Sequence, residues 1–173
     1  MILLILFYVN TYSYVSFGKE DSTLPKLPAT IFCDFQGNKY DLKENKSPFA
    51  LLIVYSPQSC ASCFRERILW ERIANKFTPD TLQIIGITYG VDKKEIESFS
   101  KRSKFDFLVL WDSIAILKDS LKLLNRPYKI LIDKTQNIID IEISISSADA
   151  MENYFKKLCV FIQKEVENSV EKR

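Results

Sequence analysis

The sequence predicts an α/β domain: a mixed central sheet with helices on both faces, an N-terminal β-hairpin and an inserted αβ unit. Three observations predict it. Residues 49–55 and 82–88 are continuous apolar runs, as expected of strands buried on both faces of a parallel sheet. Between them, residues 60–77 carry apolar side chains at helical spacing, which completes a βαβ unit. After Pro127 the order becomes strand, turn, strand, helix, so an antiparallel pair joins the parallel strands.

Residues 1–18 contain no Lys, Arg, Asp or Glu, and their apolar run ends at Asn10. This is the form of a secretory signal, with small Ser16 and Gly18 before a cut ahead of Lys19; the other reading is a retained membrane anchor. Either reading predicts export to the periplasm or cell envelope, cleaved or tethered through residues 1–18, where cysteine pairs persist as disulfides. Residues 19–28 are polar with two prolines and read as a linker. Residues 29–165 form the predicted domain, and residues 166–173 a charged tail expected to fray.

Within the domain, residues 30–35 and 39–42 read as a hairpin around the turn Gln36-Gly37-Asn38. The helix over 60–77 places Cys63, Phe64, Ile68, Leu69, Ile73 and Phe77 inward, with Arg65, Glu66, Arg67, Glu71 and Arg72 mostly between them. Asp92 and Glu95 form a capping box for a helix to about Arg102 that turns Ile96 and Phe99 inward. Residues 107–111 are a third strand, and Asp112 can cap a helix over 114–124. Residues 128–133 are a strand. Ile139, Ile141, Ile143 and Ile145 then alternate with Asp140, Glu142, Ser144 and Ser146, which predicts a strand with one covered face. Ser147 caps a last helix with Met151, Tyr154, Phe155, Leu158, Phe161 and Ile162 inside. Trp70 and Trp111 read as core.

The chain has 173 residues, 24 Lys+Arg, 22 Asp+Glu and a formal charge of +2. Near-neutral charge gives nucleic acid no electrostatic purchase. The chain has no histidine. That excludes Ser-His-Asp and Cys-His relays, His-ligated metals and a histidine pH switch. Chemistry is left to cysteine, carboxylate, lysine or backbone groups.

Cys60-Ala61-Ser62-Cys63 follows a buried strand and opens a helix. There, unpaired N–H groups and the positive helix end stabilise a thiolate, and a second thiol three residues on can close a disulfide. The competing readings are half a zinc knuckle, a structural disulfide or inert thiols. The knuckle lacks its other pair, since Cys33 and Cys159 are isolated. Those two read as buried thiols, and spacing leaves open whether they pair.

The segment Tyr55-Ser56-Pro57-Gln58-Ser59-Cys60-Ala61-Ser62-Cys63-Phe64-Arg65-Glu66 resembles the active-site segment of thioredoxin-fold proteins, most closely the TlpA-like (redoxin) oxidoreductases of the bacterial envelope. Arg126-Pro127-Tyr128-Lys129-Ile130-Leu131-Ile132-Asp133 is similar to their cis-proline segment. The resemblance runs from the hairpin to the last helix and implies a thioredoxin-like three-layer sandwich. It makes Cys60 the nucleophile, Cys63 the resolving thiol, Glu66 a buried proton acceptor, and Arg126 with cis Pro127 the client-binding segment. It also implies protein disulfide or dithiol clients and a redox partner protein, with no bound cofactor and no metal, because electrons pass through the cysteines. Five positions depart from the family pattern: Val54 for a buried Asp, Ser59 for an aromatic, Ser62 for proline, Arg126 for a small or β-branched residue, and Gln136 for glycine.

Two alternatives stand beside this. A peroxiredoxin-like peroxidase needs Thr or Ser three residues before its cysteine and Pro seven before. Cys60 has Pro57 and Ile53 there, and Cys63 has Cys60 and Ser56. The other is a non-catalytic thioredoxin-fold binding module, with Cys60 and Cys63 as soft ligands for Cu(I).

Overall fold

The computed structural model describes residues 26–59, 61–90, 92–124, 126–144 and 147–171. The expected signal or anchor, most of the linker, Cys60 and Ile145 lie outside the described residues.

Among the described residues, seven strands form one sheet: β1 (Ile31–Cys33), β2 (Lys39–Asp41), β3 (Phe49–Tyr55), β4 (Leu82–Tyr89), β5 (Leu108–Asp112), β6 (Tyr128–Asp133) and β7 (Ile138–Ile143). Their order is β2-β1-β5-β4-β3-β6-β7. β3, β4 and β5 run parallel, and β6 and β7 extend the sheet antiparallel, as the change of pattern after Pro127 predicts. The β1–β2 hairpin docks on the β5 edge, with Cys33 opposite Trp111. Four helices are described: α1 (Ala61–Lys76), α2 (Lys93–Ser103), α3 (Ile116–Ser120) and α4 (Ala148–Glu171).

β3 is the centre. Ala50, Leu52 and Val54 enter the layer beneath α3, while Leu51, Ile53 and Tyr55 enter the layer beneath α1, α2 and α4. The two layers are unequal, because α3 has only five residues. In the thicker one, the rings of Tyr55, Trp70, Phe99 and Phe105 meet at centroid separations of 5.7–6.2 Å. Trp70 is core as predicted, whereas Trp111 is only half-buried.

Several expectations are corrected. Ile68 points outward at 74% exposed. The buried stripe of α1 is Glu66, Leu69, Trp70 and Ile73, a helical spacing that turns Ile68 to the opposite side. The helix expected over 114–124 shrinks to α3. Asp112 caps it across a turn, accepting from Ile116 N (3.0 Å) and Leu117 N (2.9 Å), and Ala115 adopts φ 53° before the helix begins. Lys122 takes φ 52° and Leu123 N donates to Lys118 O, a helix-ending pattern that returns Leu123 to the core. The predicted fraying tail is helical through Glu171, because Val166 packs on the core and Gln163 donates to Glu167 one turn on. The linker expectation fails at its end: Leu27 is core, and its N–H donates to Gln136 O. Cys33 and Cys159 are free, half-buried thiols.

The largest correction concerns β7. A register shift beside Leu131 and Ile132 sends Ile139 into the layer opposite Ile138, Ile141 and Ile143, breaking the predicted alternation. Its polar face is also covered: Asp140 is 1% exposed and Glu142 half-buried, because both face the helical layer that contains α4.

Other local expectations hold. Asp92 Oδ1 accepts from Glu95 N at 2.8 Å, and Ser147 Oγ from Ala150 N at 3.2 Å. In the turn after β6, Asp133 accepts from Thr135 N and Asn137 N; burial raises its pKa, but bonds from Asn137 and Thr135 outweigh that and hold it low. Gln136 in that turn has φ 65°, a conformation suited to glycine. Gln136→Gly is therefore expected to stabilise the domain by up to about 1 kcal/mol, seen as a thermal midpoint raised by ~2–4 °C. An unchanged or lowered midpoint would show that the buried Gln side chain contributes at least as much as its backbone strain removes.

Candidate active site

The carboxyl ends of β3, β4 and β5 lie at one edge of the sheet, the edge where open α/β sheets place ligands. β3 leads there through a single 3-10 turn, Pro57–Ser59, into α1. The handover from β3 to α1 spans the stretch of sequence that holds the Cys-x-x-Cys. Cys60 itself lies outside the described residues; Cys63 is in the first turn of α1, and the structure describes its backbone placement alone. Glu66 follows one turn later.

β6 brings the second expected segment to the same edge. Tyr128 lies opposite Val54 in the β3–β6 ladder, so Arg126 and Pro127 adjoin the chain that leaves β3. Pro127 is buried and Arg126 exposed. The expected cis bond is not found: no peptide bond among the described residues is cis, so Arg126–Pro127 is trans. Trans is the intrinsically favoured isomer, and local bonds are satisfied with it. Arg126 N donates to Leu124 O (2.8 Å) and Ser144 N to Pro127 O (2.9 Å). The preceding loop is held by Tyr128 Oη, which accepts from Leu124 N at 3.1 Å, and by Tyr89 Oη, which donates to Leu124 O at 3.4 Å.

Glu66 is enclosed, as the resemblance implies, at 0% exposed. Its partner was not anticipated. Lys129 Nζ donates to Glu66 Oε1 at 3.0 Å and to Ile143 O at 3.2 Å, and it too is 0% exposed. Its ammonium stands 5.3 Å from the centre of the Tyr154 ring. Burial pushes the Lys129 pKa down, and the neighbouring Glu66 carboxylate opposes that. On β7, Glu142 is opposite Lys129 and Asp140 opposite Leu131. Burial raises both carboxyls, Asp140 to about 7, with each other's charge adding for Asp140 and Lys157 and Lys129 working against it. Burial raises the Tyr154 phenol well above its usual range.

Lys129 thus lies among three carboxyls below the helix that carries Cys63. A signal for it was present in the sequence. Lys129 is the one charged residue between Tyr128 and Ile132, an apolar run that ends at Asp133, and a charge fully enclosed there demands a partner of opposite sign. The arrangement puts a carboxyl, paired with Lys129, one turn beyond Cys63 in a site closed to water, a placement suited to proton transfer to and from a thiol.

Structures of other proteins share this architecture. A candidate thiol:disulfide interchange protein DsbE from Chlorobium tepidum superimposes with a TM-score of 0.70 at 14% identity, covering 80% of this chain and 96% of that one. A thiol:disulfide interchange protein from Bacteroides sp. gives 0.64 at 20% identity, with 78% and 88% covered. A secreted disulfide oxidoreductase of Mycobacterium tuberculosis gives 0.62 at 14%, with 76% and 96% covered. No curated protein matches the chain in sequence. The likeness to these structures establishes the thioredoxin-like fold expected from the motif. Residues 21–141, more than half of the chain, match the AhpC/TSA family, so the chain belongs to that redoxin family, and family and fold together support thiol–disulfide oxidoreductase activity.

Proposed function

We propose that the chain is an exported thiol–disulfide oxidoreductase that exchanges disulfides with client proteins through Cys60 and Cys63. The observation that carries this reading is Glu66, fully enclosed and ion-paired one turn beyond Cys63. A solvated surface glutamate, the plain alternative, would be neither.

The Cys60 thiolate attacks one sulfur of a client disulfide. That S–S bond breaks, one client sulfur leaves as a thiolate and takes a proton, and Cys60 is joined to the other. Cys63 then gives its proton to Glu66 and attacks the Cys60 sulfur. The Cys60–Cys63 bond forms, the second client sulfur leaves, and two electrons have passed to the client. Arg126 and Pro127 border the reaction edge, where they would receive the client chain. A redox partner protein restores the dithiol; run in reverse, the same steps oxidise a client. The reduction potential of the pair decides between them, ~−270 mV marking a reductant and ~−120 mV an oxidant.

Export rests on the apolar segment 1–18, in keeping with relatives of the same fold described as secreted, or as an exposed lipoprotein thioredoxin in Streptococcus pneumoniae. Fusing residues 1–28 to a reporter active only outside the cytoplasm should give signal, and a fusion starting at Lys19 none. Equal signal from both would refute export.

Cys60→Ser should abolish dithiothreitol-driven reduction of a model protein disulfide, and Cys63→Ser should accumulate mixed disulfides through Cys60. Full activity in Cys60→Ser, or adducts through Cys33 or Cys159 instead, would overturn the mechanism. An inactive chain that binds Cu(I) tightly would favour the binding module. Turnover of hydrogen peroxide would favour the peroxidase, for which Ile53 and Pro57 give no support.

A further inference from the structure

The mechanism uses Glu66 and leaves Asp140 unexplained. Asp140 is 1% exposed, yet neither carboxyl oxygen has a well-formed hydrogen bond among the described residues, the Ile141 N–H contributing only weakly. Buried polar atoms are nearly always satisfied, so an exception of this kind calls for a physical reason. Its place in the sheet supplies one. Asp140 is opposite Leu131 on β7, diagonal to Lys129 on β6, and on the same face. Lys129 in turn holds Glu66 of α1 at 3.0 Å. The other charged or titratable groups facing this cluster are Glu142 of β7 and Tyr154 and Lys157 of α4.

We propose that Asp140 is a positioning residue for the resolving step: by gaining or losing its proton it sets the net charge around the Glu66–Lys129 pair beneath the first turns of α1. With Asp140 protonated, Glu66 and Lys129 form a neutral pair, and the Glu66 carboxylate can take the Cys63 proton. With Asp140 ionised, the cluster carries an additional negative charge. That charge draws on the same ammonium and repels the thiolate that must form on Cys63. The raised carboxyl of Asp140, at about 7, puts this change within the range where exchange operates. Resolution therefore slows relative to thiol ionisation as pH rises through neutrality. The inference rests on the proposed exchange role of Cys60 and Cys63.

The test uses the reduced full chain with Cys33→Ala and Cys159→Ala, mixed with 5,5′-dithiobis(2-nitrobenzoate). Attack by Cys60 releases one coloured thiolate, and resolution by Cys63 releases a second as the Cys60–Cys63 bond closes. The second phase is followed from pH 5.5 to 9 in the parent, Asp140→Asn and Asp140→Ser. Neutralising Asp140 should speed that phase about three- to tenfold at pH 8, the order expected from removing one charge at an effective dielectric of about 20, and leave it unchanged at pH 5.5. The first phase should not respond. A uniform change at all pH values, or profiles that superimpose in whichever variant folds, would overturn the inference. If the parent shows no second phase at all, or if Cys63→Ser retains it, the exchange reading itself fails. A normal second phase indifferent to Asp140 removes only the role assigned here.

Discussion

Lys129→Met is expected to destabilise the domain by about 3–5 kcal/mol, because it leaves the Glu66 carboxylate buried without its counter-ion. Both side chains are 0% exposed, and the Nζ–Oε1 contact is 3.0 Å. The loss measures an unpaired buried charge, not the worth of the pair. The double variant Lys129→Met with Glu66→Leu should therefore recover most of it, since an enclosed ion pair replaced by apolar side chains of similar volume is often neutral or better. Urea unfolding with an unchanged m-value checks both. A single variant less than ~1 kcal/mol below the parent would mean that water reaches the pair. By contrast, the exposed pairs Lys101–Glu97 and Lys156–Glu152 should contribute little, as surface pairs do.

Asp140→Asn is expected to act in the opposite direction, and only above acid pH. Burial raises the Asp140 carboxyl from 3.8 to about 7, so between those values the folded chain holds a proton that the unfolded chain has released. More protons bound in the folded state means that stability falls as pH rises. The penalty is absent below about pH 4, grows toward neutrality, and is complete above pH 7. A displacement of that size corresponds to on the order of 4 kcal/mol. Asn cannot ionise, so the variant should match the parent near pH 4 and exceed it by a few kcal/mol at pH 8. Parallel stability curves for the two chains across pH 4–8 would show that Asp140 does not titrate in the fold.

These two residues also mark where the sequence stops being sufficient. The central strands were legible because each is a continuous apolar run: β3 and β6 occupy the predicted residues, and β4 runs one residue further, to Tyr89. Local chemistry likewise announced itself. Asp92 and Ser147 cap the helices expected of them, and Asp112 caps the shorter helix that stands in the expected place. All of these depend on near neighbours in the chain. The enclosure of Glu66 came from the resemblance, since spacing alone allowed a solvated helix residue.

What failed depends on distant ones. Ile68 and Glu66 are two residues apart on α1, and only packing against the sheet decides that the charged one is inside. The alternation along β7 reads as one face open to water, but α4 comes from further along the chain and covers it, enclosing Asp140. By itself the sequence determined the mixed sheet, the order of its elements and the strand-to-helix handover from β3 to α1, because hydrophobic periodicity and capping act over a few residues. The pairing of Lys129 with Glu66, separated by 63 positions, and the proximity of Asp140 to both were decided by tertiary structure alone. Burial and Coulomb energy depend on distance through space, which no local pattern records.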